Sequence, residues 1–180
     1  MKNNIIYCLI TALSCVTLGV LNNINDNAPT MPSTDTKVSI LEPCIPLYDV
    51  NGGSGAVTYY MNVNIHGIGS KRFLIDTGCS SYIILPNDDK VAMLANGVMT
   101  NDDYIRSVDV VVANGQYVHL DVYRVKDVVL GERAIVHDVE VCFSPLGEKR
   151  IIGCPMLRRL GTVTFDFNHK ALRISDAYSE

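Results

Sequence analysis

Asp76 is the residue around which chemistry can be built. It ends an apolar run, Phe73-Leu74-Ile75, and is followed by Thr77 and Gly78. A carboxylate at the end of a buried strand is costly to keep charged unless donors surround it or it takes up a proton. Either state is useful: a general base when ionised, a general acid when protonated. Thr77 adds a hydroxyl one residue on. Gly78 lets the backbone turn tightly and leaves space above the carboxylate for another group. The same three residue types are common in ordinary strand-end turns, so the tripeptide takes its meaning from context. A second apolar pair ended by glycine, Ile151-Ile152-Gly153, lies downstream and is followed by Pro155-Met156-Leu157.

Other chemistries do not assemble. His66, His119, His137 and His169 are scattered, and no pair has the helical spacing of metal ligands, so neither a metal nor another cofactor is expected. Ser80 and Ser81 follow the turn without the G-x-S-x-G context of a serine nucleophile. Asp88, Asp89, Asp102 and Asp103 read as solvated loop charges and do not match a calcium loop. His119, Asp121 and Arg124 read as the outer face of a strand. The six cysteines (Cys8, Cys15, Cys44, Cys79, Cys142, Cys154) include no C-x-x-C pair. Free buried thiols and disulfides in an exported domain both remain open for the last four.

The chain has 180 residues and a net charge of −4. That balance excludes nucleic acid as an expected partner, since Lys149-Arg150 and Arg158-Arg159 are too short to track a phosphate backbone. Residues 5–21 carry no charged side chain and follow Lys2. They read as a membrane anchor or signal segment in three forms: an uncleaved anchor with Lys2 inside, a cleaved signal peptide, or a lipoprotein signal ending at Cys15. Each places the rest of the chain on the extracytoplasmic (periplasmic) side, membrane-anchored or exported. Residues 22–55 read as a linker rich in proline and asparagine, with Pro29, Pro32, Pro43 and Pro46. Within it residues 37–41 could still add an edge strand. Residues 56–176 form the expected domain.

That domain must hold Asp76 on strands. Met61, Val63 and Ile65 alternate with polar neighbours, as in a half-buried strand, and residues 67–70 turn the chain back into the apolar strand that ends at Asp76. Residues 82–85 form another strand. Asn87 is placed to cap a short helix over 88–95, with Gly97 just past its end. Residues 108–113 and 117–130 flank Asn114-Gly115, a two-residue hairpin signal. The inward phase slips between Val122 and Val125, predicting a bulge or a second strand. Strands follow at 135–143 and 151–152, then a helix from Pro155 through Arg159, ended by Gly161. A last hairpin spans 162–167 and 171–174. Short strands about every ten residues with two short helices give an all-β barrel or sandwich.

Apolar-Leu-Ile-Asp-Thr-Gly, a strand, Ala113-Asn114-Gly115 in a hairpin, then Ile151-Ile152-Gly153 followed by Leu157, resembles the retropepsin family. The likeness is to its single-domain, membrane-associated bacterial members and covers residues 57–174. It implies a single-lobed closed β-barrel and aspartic endopeptidase activity on a polypeptide substrate. By the same resemblance Asp76 is the catalytic aspartate. Thr77 bonds across to a partner chain, Gly78 lies under the substrate backbone, and Ile151-Ile152-Gly153 brace the loop. The hairpin over 111–118 is the substrate-binding flap, with Ala113, Asn114 and Gly115 at its tip. The segment after Gly161 supplies interface strands. Cys79 stands where the family has alanine or serine, Cys154-Pro155-Met156 replaces the usual continuation, and the flap lacks a glycine-rich tip. The same scaffold without turnover would be a binding or assembly module.

A single Asp-Thr-Gly in one lobe requires a homodimer. Peptide hydrolysis at paired aspartates needs one carboxylate to take a proton from water and one carboxyl to polarise the carbonyl. Two such groups a few ångströms apart share a proton and titrate as a pair. A two-fold axis supplies the second copy.

Overall fold

The computed structural model describes residues 37–51, 57–112, 115–147 and 149–175. Three short strands open it: β1 (Val38–Ile40), β2 (Cys44–Pro46) and β3 (Tyr48–Asn51). This corrects the linker expectation for its second half, and confirms the edge strand foreseen at 37–41. Proline content misleads there because Pro46 ends β2, and β2 is an edge strand whose missing N–H breaks no ladder. Ile45 and Leu47 are buried, which anchors the stretch to the domain.

The remaining strands are β4 (Val57–Ile65), β5 (Gly69–Asp76), β6 (Ile83–Pro86), β7 (Tyr104–Val111), β8 (Tyr117–Leu130), β9 (Ala134–Ser144), β10 (Ile151–Gly153), β11 (Val163–Asp166) and β12 (Ala171–Ile174). Two helices, α1 (Asn87–Ala95) and α2 (Cys154–Arg159), interrupt them, with a short 3-10 turn at Asn101–Asp103. The fold is all-β. β4 pairs β5, β5 pairs β10, β10 pairs β6, β6 pairs β9, β9 pairs β8, and β8 returns to β4. The sheet therefore closes on itself, with β1, β3 and β7 attached outside that circuit. β11, β12 and β2 form a second, three-stranded sheet.

Each strand of the circuit sends residues into one core, including Met61, Phe73, Ile83, Val125, Val141 and Ile152. A smaller apolar cluster joins Cys79, Ile84, Val110, Val118, Leu120, Val122 and Cys142. β8 serves both. Val118, Leu120 and Val122 face the smaller cluster, while Tyr123 and Val125 face the main core. The phase slip expected near Val122 is thus a change of core within one continuous strand. The bulge lies in its partner, between Tyr104 and Arg106 of β7.

Two local expectations are corrected. Asn87 begins α1 but does not cap it; Pro86 occupies the cap position and offers no side-chain acceptor. Asn114-Gly115 is not a two-residue loop. Val112 N–H donates to Gln116 O at 2.9 Å and Gly115 N–H to Val112 O at 2.8 Å, so the closing pair of the hairpin is Val112 and Gln116. Gly115 takes φ +81°, the left-handed conformation that closes such loops. The N-terminal segment 1–21 and residues Ala113 and Asn114, expected at a flap tip, lie outside the described residues. Among the described residues no helix is long and apolar enough to cross a membrane.

Candidate active site

The apolar residues Phe73 and Leu74 bury β5, and the strand ends at Asp76, which is partly buried. Beyond it Thr77 and Gly78 are exposed, and Cys79 is buried again. The loop is shaped by its own backbone. Gly78 N–H donates to Asp76 Oδ1 at 2.9 Å, and Cys79 N–H donates to the Asp76 carbonyl at 3.1 Å. Burial pushes the Asp76 carboxyl above its ordinary value, against the opposing pull of the Gly78 and Cys79 amides. No Lys, Arg or His pairs with it among the described residues. Its carboxyl is thus partly buried, raised above the ordinary aspartate value and bonded by the Gly78 amide.

β10 lies parallel to β5, with Ile151 opposite Leu74, Ile152 opposite Ile75 and Gly153 opposite Asp76. The structure thus brings together the two motifs that the sequence holds apart. Ile152 is buried in the main core, and Ile151 packs on the smaller cluster. Gly153 N–H donates to Tyr82 O and Cys154 N–H to Cys79 O, both at 3.0 Å. A Cβ at position 153 would collide with the Ser81 carbonyl and stand 2.7 Å from the Cys79 carbonyl oxygen. Gly153 is required by this close approach, not by its backbone angles.

Cys79 fits the loop. It is 1 % exposed and its thiol donates weakly to Ser81 O at 3.8 Å. Burial, with a smaller contribution from the nearby Asp76 charge, pushes the thiol up to about 12, so it stays protonated. Cys79 shares the smaller cluster with Val110, Val118 and Leu120, which ties the β7–β8 hairpin to the Asp76 loop. Gly115 sits at the described end of that hairpin. An open cleft of about 500 Å³ runs beside it, lined by Tyr117, His119, Pro145 and Leu146 among others, and Asp76 is not part of its lining.

Sequence reasoning missed a charged pair behind the site. Asp89, read as a solvated loop residue, is 6 % exposed and lies in the first turn of α1. Arg150 Nε and Nη2 donate to its two carboxylate oxygens, each at 2.7 Å. An arginine directly before the apolar Ile151-Ile152 pair was a visible signal, but nothing local named its partner. His119, His137 and His169 each face an aspartate (Asp109, Asp127 and Asp166), and His66 is exposed. No group of three metal-ligating side chains forms among the described residues.

No protein-family model matches the chain, and no curated protein does. Among solved structures the chain is similar to a retropepsin-like aspartic protease from Rickettsia conorii. The two share 16 % identity at a TM-score of 0.45, over 80 % of this chain and 96 % of that one.

Proposed function

We propose that the chain is an aspartic endopeptidase whose working site is built from Asp76 of two copies in a homodimer. The observation that carries this reading is the Asp76 carboxyl itself. It stands at the end of β5, is raised by burial, is bonded by the Gly78 backbone amide, and has no Lys, Arg or His paired to it among the described residues. A single such group is half of an acid–base pair. With a second copy across a two-fold axis, the ionised carboxylate takes a proton from water as the water oxygen attacks the peptide carbonyl. The protonated carboxyl donates to the carbonyl oxygen. The tetrahedral intermediate then collapses: the C–N bond breaks, the leaving amine takes a proton from the pair, and one hydroxyl of the intermediate returns a proton to it, leaving a carboxylic acid and the pair with its single proton.

Exposed Thr77 and Gly78 offer the loop surface such a pairing needs. A polypeptide would lie extended over them, bonded through its backbone, beneath the β7–β8 hairpin. Membrane attachment or export through residues 1–21, with the domain on the extracytoplasmic side, belongs to the same proposal. Asp76→Asn separates this reading from a binding or assembly module. Wild type should cleave peptides, or itself, at mildly acid pH, and the variant should not. Equal behaviour of the two sinks the enzyme reading.

A further inference from the structure

We propose that α1 is a positioning strut for the Asp76 loop, with Asp89 and Arg150 as its positioning residues. The inference rests on Asp76 being the reacting carboxylate and names what fixes its place. Asp89 sits at the N-terminal end of α1, where the helix dipole favours a carboxylate, and it is nearly fully buried. Arg150 grips both of its oxygens, and such a two-pronged pair fixes direction as well as distance. Arg150 is also the residue just before β10, and its carbonyl accepts from Leu74 N–H at 2.9 Å. One residue is therefore locked by its side chain to α1 and by its backbone to β5, two positions before Asp76.

The ladder carries that placement forward to Gly153 opposite Asp76. Gly153 N–H donates to Tyr82 O and Cys154 N–H to Cys79 O, and Gly153 lies so close to the Cys79 and Ser81 carbonyls that not even a Cβ would fit, so a displacement at Arg150 is passed to the loop. The next residue of α1 points the other way. Lys90 Nζ donates to Asp121 Oδ2 on β8 at 2.6 Å and stands 5.0 Å over the Tyr123 ring. One helical turn thus holds both the brace under Asp76 and the hairpin beside it. Met93 already seats α1 in the core. What the ion pairs add is direction.

The test uses the full chain, with Arg150→Lys and the paired variant Asp89→Leu/Arg150→Met. The paired variant replaces both charges by apolar groups and so leaves no charge stranded in the interior. It should fold, with Tm within about 5 °C of wild type. Its kcat on a peptide substrate should fall about 10- to 100-fold, while KM stays within about threefold. Arg150→Lys keeps the charge but loses the two-pronged grip, and should lose about threefold to tenfold in kcat. Carbon-detected NMR of the Asp76 carboxyl should show its titration moving toward the ordinary aspartate range as the loop opens to water. A folded paired variant with wild-type kcat and an unmoved Asp76 titration overturns the proposal. If that variant does not fold, Arg150→Lys decides by the same two readouts. If Asp76→Asn proves as active as wild type, the enzyme reading fails, and the NMR titration alone still decides whether the pair positions Asp76.

Discussion

Replacing Gly153 by alanine puts a single methyl group where the fold has no space for one. The added Cβ would overlap the Ser81 carbonyl, with the Cys79 carbonyl oxygen at 2.7 Å and the Cys79 Sγ at 3.1 Å. Two of these neighbours are backbone atoms of the loop that carries Asp76, so no side-chain rotation relieves the clash. Overpacking of this kind costs about 1–3 kcal/mol. The loop must also lift from β10, which endangers the bonds from Gly153 N–H to Tyr82 O and from Cys154 N–H to Cys79 O. Each contributes about 1 kcal/mol net. The loss then reaches about 3–5 kcal/mol, or about 10–20 °C in Tm for a domain of this size. Gly153 has φ −94°, which alanine adopts freely. In open space the substitution would therefore stabilise the chain by about 0.4–1 kcal/mol through the unfolded state. The two cases differ in sign. Thermal unfolding followed by circular dichroism, with peptide turnover measured alongside, distinguishes them. An alanine variant that melts at or above the wild-type temperature and keeps its activity refutes the placement of β10 beneath the Asp76 loop.

Other outcomes follow from the same geometry. Asp76 titrates above its unfolded value of 3.8, so the folded protein holds that proton over a range where the unfolded chain has lost it, and stability falls as pH rises through that range. Asp76→Asn should accordingly melt above wild type at pH 7, with the gap closing as pH is taken below 3.8; an unchanged gap across pH contradicts the raised value. Asp166 behaves oppositely. Arg173, with His169, holds it down to about 2, so its contribution is present above 3.8 and is lost as pH falls toward about 2. Asp166→Asn should flatten that part of an acid unfolding curve. Cys79 and Cys142 are buried and both thiols are pushed up by burial. A thiol-alkylating reagent followed by mass mapping should label Cys44 and Cys154 in the native protein, and Cys79 and Cys142 only after unfolding. Lys90→Met removes a partly exposed ion pair worth about 0.5–1 kcal/mol and frees the base of the β7–β8 hairpin. KM for peptide should rise more than kcat falls, and a pure kcat effect would contradict a role at the hairpin.

The sequence by itself determined the strand content, the position of Asp76 at a strand end and the tight turn after it. Period-two alternation, glycine and proline act over a few neighbours, so they can be read without knowing the rest of the fold. It also offered Ile151-Ile152-Gly153 as a second element, but its place against the Asp76 loop only through likeness to a family, because no local rule says which strand a short apolar pair will join. Tertiary structure alone laid β10 parallel to β5 with Gly153 opposite Asp76. It made three strands from the stretch read as linker, because burial of Ile45 and Leu47 outweighed the prolines around them. It buried Asp89 and supplied its cation from position 150. A charge beside polar neighbours looks solvated until a distant residue closes over it, since the free energy of burying a charge depends on its partner in space and not on its neighbours in the chain.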